Sequence, residues 1–266
     1  MSSLLPQSKN KFVEGDSSSL VILVVPCFNE EIRWGSEYWE NVSKIQNLKL
    51  YFVNDGSSDN TSSKIAPLLE NSHHVLLELP ENVGKAEAIR HGFNLAFTEH
   101  PLGIGFLDAD GAFPFDDVRT QIGVFRRLYR QSDIPIAVWS SRVQMAGRSI
   151  ERKLLRHYFA RVLVTFLAIR LNFTIYDTQS GMKIFPFTPT LTACMKEKFK
   201  TRWFIDLEIF LRWRFEASVD MSIWEEPLLG WKDIGGSKLS GKQYLTVLHD
   251  IRKLNSYEAK ILKHHP

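Results

Sequence analysis

Few cysteines and no long apolar run set the first limits on this chain of 266 residues. Its two cysteines, Cys27 and Cys194, lack the spacing of a disulfide scaffold or of a metal site, so we expect a reduced, cytoplasmic protein. The start of the chain lacks the apolar segment of about 7 to 15 residues that a secretory signal contains. No stretch approaches the roughly 18 apolar residues of a membrane-spanning helix, so we expect a protein that is soluble or lies on a membrane.

The composition does not favour disorder, because 44% of the residues are hydrophobic and can bury a substantial core. The charges are divided unevenly: residues 1–141 contain 12 Lys and Arg against 18 Asp and Glu, whereas residues 142–266 contain 21 against 12. The basic second half predicts an anionic partner, such as a phosphate group or lipid headgroups. No RNA-binding motif accompanies the basic residues and the first half is acidic, so a nucleic acid partner is not expected.

Short apolar runs alternate with helical patterns over the first 140 residues. The runs are rich in Val, Ile, Leu and Phe, as in strands buried on both faces, and they are SLVILVVP, LKLYFVND, HHVLLELP, IGFLDAD and IPIAVWS. Helices are predicted at residues 36–46, 60–70, 85–98 and 115–130. This order predicts an α/β fold with a parallel or mostly parallel sheet. From residue 141 the pattern changes, and residues 149–172 are predicted to form one long amphipathic helix or a pair of helices.

Polar clusters follow four of the predicted strands. They are PCFNEE (26–31), NDGSSD (54–59), ENVGKAEA (81–88) and DADG (108–111). In an open α/β sheet, ligands bind beyond the carboxyl ends of the strands. Any one cluster could consist only of turn residues and helix caps, but the four together predict a single cleft.

Among the four clusters, the DAD sequence indicates a specific chemical role most clearly. On an extended segment, residues i and i+2 point to the same side, so Asp108 and Asp110 can present two carboxylates at one place. Such hard oxygen ligands suit Mg²⁺ or Mn²⁺, which keep positions open for water and phosphate oxygens. The pattern therefore predicts a divalent metal that neutralises charge on a diphosphate leaving group.

The motifs VVPCFNEE, VNDGSSDNT, NVGKAEAIRHGF, LDADG and DTQSGMKIF resemble, in order and spacing, those of family 2 glycosyltransferases with the GT-A fold. Within that family they are most similar to the dolichyl-phosphate glucosyltransferase and polyprenyl-phosphate glycosyltransferase branch. The resemblance implies a mostly parallel, Rossmann-like sheet with helices on both faces. It also implies inverting transfer of a sugar from a nucleotide diphosphate sugar, with Mg²⁺ or Mn²⁺ as cofactor.

The resemblance also implies a domain organisation. A short N-terminal extension, residues 1–19, precedes the GT-A domain at residues 20–240. That domain divides into a nucleotide-sugar-binding half, 20–140, and an acceptor half, 141–240. Residues 241–266 are expected to form a C-terminal amphipathic helix.

On the donor side, the resemblance assigns the nucleoside pocket to Pro26, Phe28 and Glu30. Asp55 would accept a hydrogen bond from the base, and Lys85 would lie near the phosphates. The alternatives are an Asx turn at Asp55 and a solvated lysine at a helix start.

The metal and the diphosphate complete the donor site that the resemblance implies. Asp108, Ala109 and Asp110 would contact the donor. Asp108 and Asp110 would hold the ribose and the metal, with Asp110 preferred to Asp108 as the direct metal ligand. In the GSKL segment, Ser237 and Lys238 would fold over the diphosphate as a lid, unless this segment is a plain turn.

On the acceptor side, the resemblance places the DTQSG segment along the cleft. Asp177 is expected close to the reacting centre, with Gln179 and Ser180 as acceptor contacts and Gly181 permitting close approach of the backbone. Arg142 begins a basic, aromatic-rich run that extends to residue 161 and is expected to bind the acceptor. This run could rest on a membrane or form a core helix with a solvated basic face.

Two further acids, Asp206 and Glu208, lie in an apolar helical pattern, where carboxylates are rarely buried without a partner. One hypothesis makes them the general base; the other pairs them with Arg202 or Arg212. The choice depends on the acceptor, because a sugar hydroxyl needs a base, whereas a phosphate monoester is already an anion at neutral pH.

The function expected from these residues is metal-dependent transfer of a sugar to a polyprenyl or dolichyl phosphate. UDP-glucose is the preferred donor, and GDP-mannose remains open as an alternative donor. The first alternative is transfer to a saccharide hydroxyl in the assembly of a cell-surface polysaccharide or glycolipid. The second is a non-catalytic nucleotide-sugar-binding module. A lipid acceptor would bring the protein to the cytoplasmic face of a membrane as a peripheral protein.

Overall fold

The computed structural model of the protein describes residues 19–70, 72–151, 175–201, 204–217 and 220–232. Several predicted features lie outside these ranges: the extension up to residue 18, most of the helix at 149–172, Arg202, the lid residues Ser237 and Lys238, and the C-terminal helix. Residues 149–151 form a strand, so the prediction that a helix begins at residue 149 is wrong.

Within the described ranges, the central sheet consists of seven strands: β1 (Val21–Cys27), β2 (Leu48–Asn54), β3 (Val75–Glu78), β4 (Gly103–Leu107), β5 (Ile136–Ser141), β7 (Met182–Pro186) and β8 (Ser222–Pro227). Their spatial order is β3-β2-β1-β4-β7-β5-β8. β7 runs antiparallel to both of its neighbours, β4 and β5, whereas every other pairing in this sheet is parallel. Two short strands, β6 (Ser149–Glu151) and β9 (Gly230–Lys232), pair separately. The prediction of an α/β fold with a mostly parallel sheet is confirmed.

Six helices accompany the strands in the described ranges. They are α1 (Ser36–Ser43), α2 (Thr61–Ile65), α3 (Lys85–Ala96), α4 (Phe115–Gln131), α5 (Pro189–Cys194) and α6 (Ile205–Glu216). The first four correspond to the predicted helices, and short 3-10 turns extend α2 and α3. Within the described part of the chain, no helix is both long and apolar enough to cross a membrane.

The sheet separates two hydrophobic layers, because successive side chains of a strand point to opposite faces. On β1, Ile22 and Val24 face a layer that contains buried residues of α3 and α6. Val21, Leu23 and Val25 face the other layer, which contains buried residues of α1 and α4. Helices therefore cover both faces, and polar groups concentrate where the strands end.

Candidate functional site

The loops that follow β1 and β2 are tied to each other at the carboxyl edge of the sheet. The backbone N–H of Asn29 donates to Ser57 Oγ at 3.0 Å, and Ser58 N–H donates to Asn29 Oδ1 at 2.9 Å. The N–H of Glu30 donates to Thr61 Oγ1 at 2.8 Å. These hydrogen bonds fix the first two predicted clusters side by side, since β1 and β2 are parallel neighbours.

Asp55 joins the second cluster to the third. Its carboxylate accepts hydrogen bonds from Val83 N–H at 2.7 Å, from Gly84 N–H at 2.9 Å and from Asn82 Nδ2 at 3.0 Å. Gly84 has φ of 91°, a conformation that favours glycine, and it immediately precedes α3. Asp55 thus shapes the loop that leads into α3, while its predicted contact with a base stays a prediction.

Three carboxylates and two cations meet where β1 and β4 end. Lys85 Nζ lies 2.5 Å from Asp108 Oδ1, which links the third cluster to the fourth. Arg33 Nη2 lies 2.5 Å from Glu30 Oε1, whereas Glu30 Oε2 is buried and has no hydrogen-bond partner in the described part of the chain. The four predicted clusters therefore come together in the structure. Asp110 is near enough to raise the pKa of Glu30 through its charge.

The pKa values at this cluster reflect burial and the repulsion between like charges. Burial raises the pKa of Glu30 to about 7; Arg33 opposes this, and the charges of Asp110 and Asp108 add to it. Burial, and then the neighbouring Asp108, also raise the pKa of Asp110. Both shifts disfavour the ionised forms of these two acids, through burial first and through the neighbouring carboxylates second.

Two residues of this site were missed by sequence reasoning, Arg33 and Tyr38. The Tyr38 hydroxyl on α1 is buried and has no hydrogen-bond partner among the described residues. Its burial, and the charges of Asp110 and Asp108, raise the pKa of Tyr38. Its position next to the carboxylates depends on how α1 packs, which no local motif encodes.

The remaining residues predicted on the donor side lie on or beside β1 and β4. Pro26 is half-buried within β1, and Phe28 lies just beyond that strand with 42% of its surface exposed. Ala109 is buried in the hydrophobic layer, between the two aspartates. Their predicted contacts with a nucleotide sugar stay predictions.

A turn at residues 177–181 approaches the carboxylates from the other half of the chain. Asp108 N–H donates to the carbonyl oxygen of Gly181 at 3.0 Å. A Cβ atom at position 181 would lie 2.2 Å from Asp108 Oδ2, so only glycine allows this approach. The backbone at Gly181 therefore lies against the Asp108 carboxylate, while its predicted approach to an acceptor stays a prediction.

Asp177 and Arg142, both predicted at the acceptor site, bind each other. Arg142 Nε and Nη2 donate to the two oxygens of Asp177 at 2.7 and 2.8 Å, in the bidentate geometry that suits a guanidinium and a carboxylate. Glu225 on β8 accepts the backbone N–H groups of Tyr176 and Asp177 at 2.6 and 2.8 Å. Asp177 is therefore held rigidly, and its predicted place at the reacting centre stays a prediction.

The other two residues predicted to contact the acceptor face inward. Ser180 is 2% exposed and its hydroxyl is hydrogen-bonded to that of Ser140 on β5, so the predicted acceptor contact through this hydroxyl is not supported. Gln179 donates its N–H to Asp177 Oδ1 at 3.2 Å. Its side-chain Nε2 is buried with no partner in the described ranges.

Asp206 and Glu208 lie in α6 as members of buried ion pairs. Asp206 Oδ2 is 2.7 Å from Lys183 Nζ, and Glu208 Oε1 is 2.8 Å from Arg212 Nη2. Glu208 is 0% exposed and also accepts the N–H and the hydroxyl of Thr201. The ion-pair hypothesis is confirmed, with Lys183 in place of an arginine as the partner of Asp206. The general-base prediction for both acids is corrected, because buried and fully engaged carboxylates cannot take a proton from an acceptor.

The segment that leads toward the predicted lid is anchored at the same cleft. Trp231 on β9 lies under the guanidinium of Arg142, at 5.0 Å from the ring centroid. Asp117, in the first turn of α4, accepts the N–H groups of Leu229 and Gly230 at 2.8 and 3.1 Å. The chain therefore reaches residue 232 beside the Asp177–Arg142 pair.

Comparison with known proteins agrees with this geometry. The chain matches the family model described as glycosyl transferase family 2 over residues 22–201. It is 26% identical to the dolichyl-phosphate beta-glucosyltransferase of Saccharomyces cerevisiae, in an alignment that covers 85% of this chain and 71% of the yeast protein. It is also 30% identical over 105 residues to a poly-beta-1,6-N-acetyl-D-glucosamine synthase of Staphylococcus aureus, a match that covers 39% of this chain but only 24% of that protein.

Solved structures show the same fold. Glucosyl-3-phosphoglycerate synthase from Mycobacterium tuberculosis, crystallised with Mn²⁺ and UDP-glucose, superposes with a TM-score of 0.63 at 17% identity. The superposition covers 94% of this chain and 87% of that one. A crystal structure of the same enzyme with Mn²⁺, UDP and glucosyl-3-phosphoglycerate gives a TM-score of 0.60 and also 17% identity. At such identity the likeness concerns the fold alone.

Proposed function

Because the chain belongs to glycosyl transferase family 2 and matches the family model over residues 22–201, we propose that it transfers glucose from UDP-glucose to a polyprenyl phosphate such as dolichyl phosphate. An oxygen of the lipid phosphate attacks the anomeric carbon, the bond from that carbon to the diphosphate breaks, and UDP leaves. The similarity to the yeast dolichyl-phosphate beta-glucosyltransferase, over 85% of this chain, supports this choice of donor and acceptor.

The residues at the ends of β1 and β4 fit a divalent metal ion. Asp108 and Asp110 would hold it as a pair, because no group of three or more Asp, Glu, His or Cys side chains in the described residues is placed to share a metal ion. The raised pKa values of Asp110 and Glu30 reflect a cluster that a cation would stabilise. When bound, Mg²⁺ or Mn²⁺ supplies positive charge that stabilises the departing diphosphate.

Lys85 supplies a positive charge of the protein itself near the diphosphate of the donor. Its side chain is 46% exposed, and its ammonium group already lies against the Asp108 carboxylate. From this position at the start of α3 it can donate to a phosphate oxygen of the donor, and Asp108 keeps it oriented. Phe28, 42% exposed at the end of β1, offers an aromatic ring toward the nucleoside.

The observation that carries the acceptor proposal is the engagement of all three acids predicted as catalytic residues. Asp177 is bound by Arg142, Asp206 by Lys183 and Glu208 by Arg212. Attack by a sugar hydroxyl requires a base that removes its proton. A phosphate monoester, with a second pKa near 6, needs none at neutral pH and therefore suits this site better.

The test is release of nucleotide diphosphate from UDP- and GDP-sugars in the presence of Mn²⁺, with a short-chain polyprenyl phosphate, a saccharide, 3-phosphoglycerate or no acceptor. We expect release to require the lipid phosphate, to be fastest with UDP-glucose and to be lost in Asp110→Asn. Asp116→Asn is the matched control, because Asp116 is 64% exposed and pairs only with Arg119 in the described contacts.

Each other outcome contradicts a defined part of the proposal. Release that requires a saccharide or 3-phosphoglycerate would refute the lipid phosphate as acceptor. Equal loss in Asp116→Asn and Asp110→Asn would refute the metal site. Absence of donor binding to the wild-type protein would favour a non-catalytic module.

A further inference from the structure

One lysine is buried in the middle of the central sheet. Lys183 lies on β7, between β4 and β5, and is 1% exposed. A buried ammonium group is costly unless its charge is compensated and its three N–H bonds find acceptors. Lys183 Nζ has three acceptors: Asp206 Oδ2 at 2.7 Å, the carbonyl of Ser180 at 2.6 Å and the carbonyl of Thr178 at 3.1 Å. Its charge and its donors are fully used.

These contacts tie two separate elements together. The two carbonyl groups belong to the turn at residues 177–181, whereas Asp206 lies in the first turn of α6. The rings of Trp139 on β5 and Phe106 on β4 lie 4.9 and 5.5 Å from Lys183 Nζ and hold the ammonium group from the neighbouring strands. The turn is therefore hydrogen-bonded to a charged group whose position is fixed by the core of the sheet.

The position of this turn decides where a carboxylate of the site lies. Gly181 accepts the N–H of Asp108 at 3.0 Å, and its Cα passes so close to the Asp108 carboxylate that a Cβ atom would be 2.2 Å from Oδ2. The other end of the turn carries Asp177, which binds Arg142. A shift of the turn must move Asp108, the Asp177–Arg142 pair, or both.

We propose that Lys183 and Asp206 form a positioning pair, which holds the turn at residues 177–181 so that Asp108 is aligned for the metal and the donor. Neither residue touches a substrate; both act through the turn. In its effect on catalysis this inference rests on the proposed function. The predicted effect on the turn itself does not depend on the proposed function, so the effect on catalysis and the effect on the turn can be tested separately.

The decisive variant is Lys183→Met combined with Asp206→Leu. Replacing both members of a buried ion pair by apolar residues of similar volume is often neutral for stability, whereas it removes both hydrogen bonds to the turn. The matched control is Lys49→Met combined with Glu99→Gln, because that pair, at 2.6 Å, lies near the amino end of β2, away from the site. Three quantities are compared: the urea midpoint of unfolding, the Mn²⁺ concentration for half-maximal release of UDP, and hydrogen exchange of the Asp108 amide.

For Lys183→Met/Asp206→Leu we expect a urea midpoint below that of the control, because the carbonyl groups of Thr178 and Ser180 lose their donor. We also expect a Mn²⁺ requirement at least ten-fold higher than that of the control, and Asp108 amide exchange at least ten-fold faster. A double variant with the wild-type Mn²⁺ requirement and exchange overturns the proposal. If the double variant does not fold, Lys183→Arg decides, since it retains the charge but displaces the turn. A wild-type Mn²⁺ requirement in Lys183→Arg then refutes positioning. If the wild-type protein transfers from no donor, the proposed function fails, and the exchange of the Asp108 amide alone decides the positioning pair.

Discussion

Substituting Gly181 by alanine adds one methyl group at the contact between the two halves of the site. The new Cβ atom would lie 2.2 Å from Asp108 Oδ2 and 2.4 Å from its Cγ, which is about 1 Å or more inside ordinary van der Waals separation. Neither side yields freely, because Asp108 is bound by its N–H to Gly181 and by its carboxylate to Lys85. We therefore expect the carboxylate to be displaced by about 1 Å.

Two magnitudes follow from this displacement. Forcing an extra methyl group into a closely packed region costs about 1 to 3 kcal/mol of the free energy of unfolding. A misplacement of about 1 Å in a catalytic constellation lowers the rate by about 100-fold. Urea unfolding measures the first, and release of UDP as a function of Mn²⁺ concentration measures the second. Gly123→Ala is the control, since a Cβ atom there meets nothing within 4 Å and adds about 0.5 to 1 kcal/mol of helix stability.

The reasoning would be refuted by a Gly181→Ala protein that keeps the stability, the rate and the Mn²⁺ dependence of the wild type. A loss of stability with an unchanged Mn²⁺ dependence would show that the turn yields and that the carboxylate does not. Both results would also weaken the case that the turn aligns Asp108.

Three further predictions concern stability. His74 is buried and its Nδ1 accepts the Leu50 N–H, so its pKa falls to about 4 from an unfolded value of about 6.5. As the pH falls, the unfolded chain therefore binds a proton before the folded chain does. The free energy of unfolding is highest above about pH 6.5 and declines by up to about 3 kcal/mol toward pH 4. The urea midpoints at pH 7 and pH 4.5 should differ less in His74→Asn than in the wild type. An equal difference in the two proteins would contradict the role of His74. Arg212→Met leaves the buried Glu208 carboxylate without its cation and should lower the free energy of unfolding, measured in urea, by about 3 to 5 kcal/mol. A loss below about 1 kcal/mol would contradict the importance of the buried ion pair. Asp117→Ala removes the acceptor of two backbone N–H groups and should cost about 2 kcal/mol, with faster amide exchange at residues 229–230, and unchanged exchange there would argue against the anchor.

Local patterns in the sequence were enough for most elements of the first half of the chain and for the placement of the DAD carboxylates. Apolar runs of strand length predicted β1 to β5, and the helical spacing between them predicted α1 to α4. The DAD spacing predicted two carboxylates after a buried strand, and the i, i+4 spacing allowed the pair between Glu208 and Arg212. Each of these depends on residues a few positions apart, whose relation the backbone geometry fixes.

The acceptor side depended on packing between distant segments. Only the antiparallel insertion of β7 between β4 and β5 brings the turn at residues 177–181 against Asp108. Only the packing of α6 against that strand gives Asp206 its partner Lys183, 23 positions earlier, where the sequence offered two nearby arginines. The sequence by itself therefore determined β1 to β5, α1 to α4 and the DAD carboxylates. The tertiary structure decided which of the other acids remain available for chemistry, because a buried carboxylate takes whichever cation and N–H groups the fold places beside it.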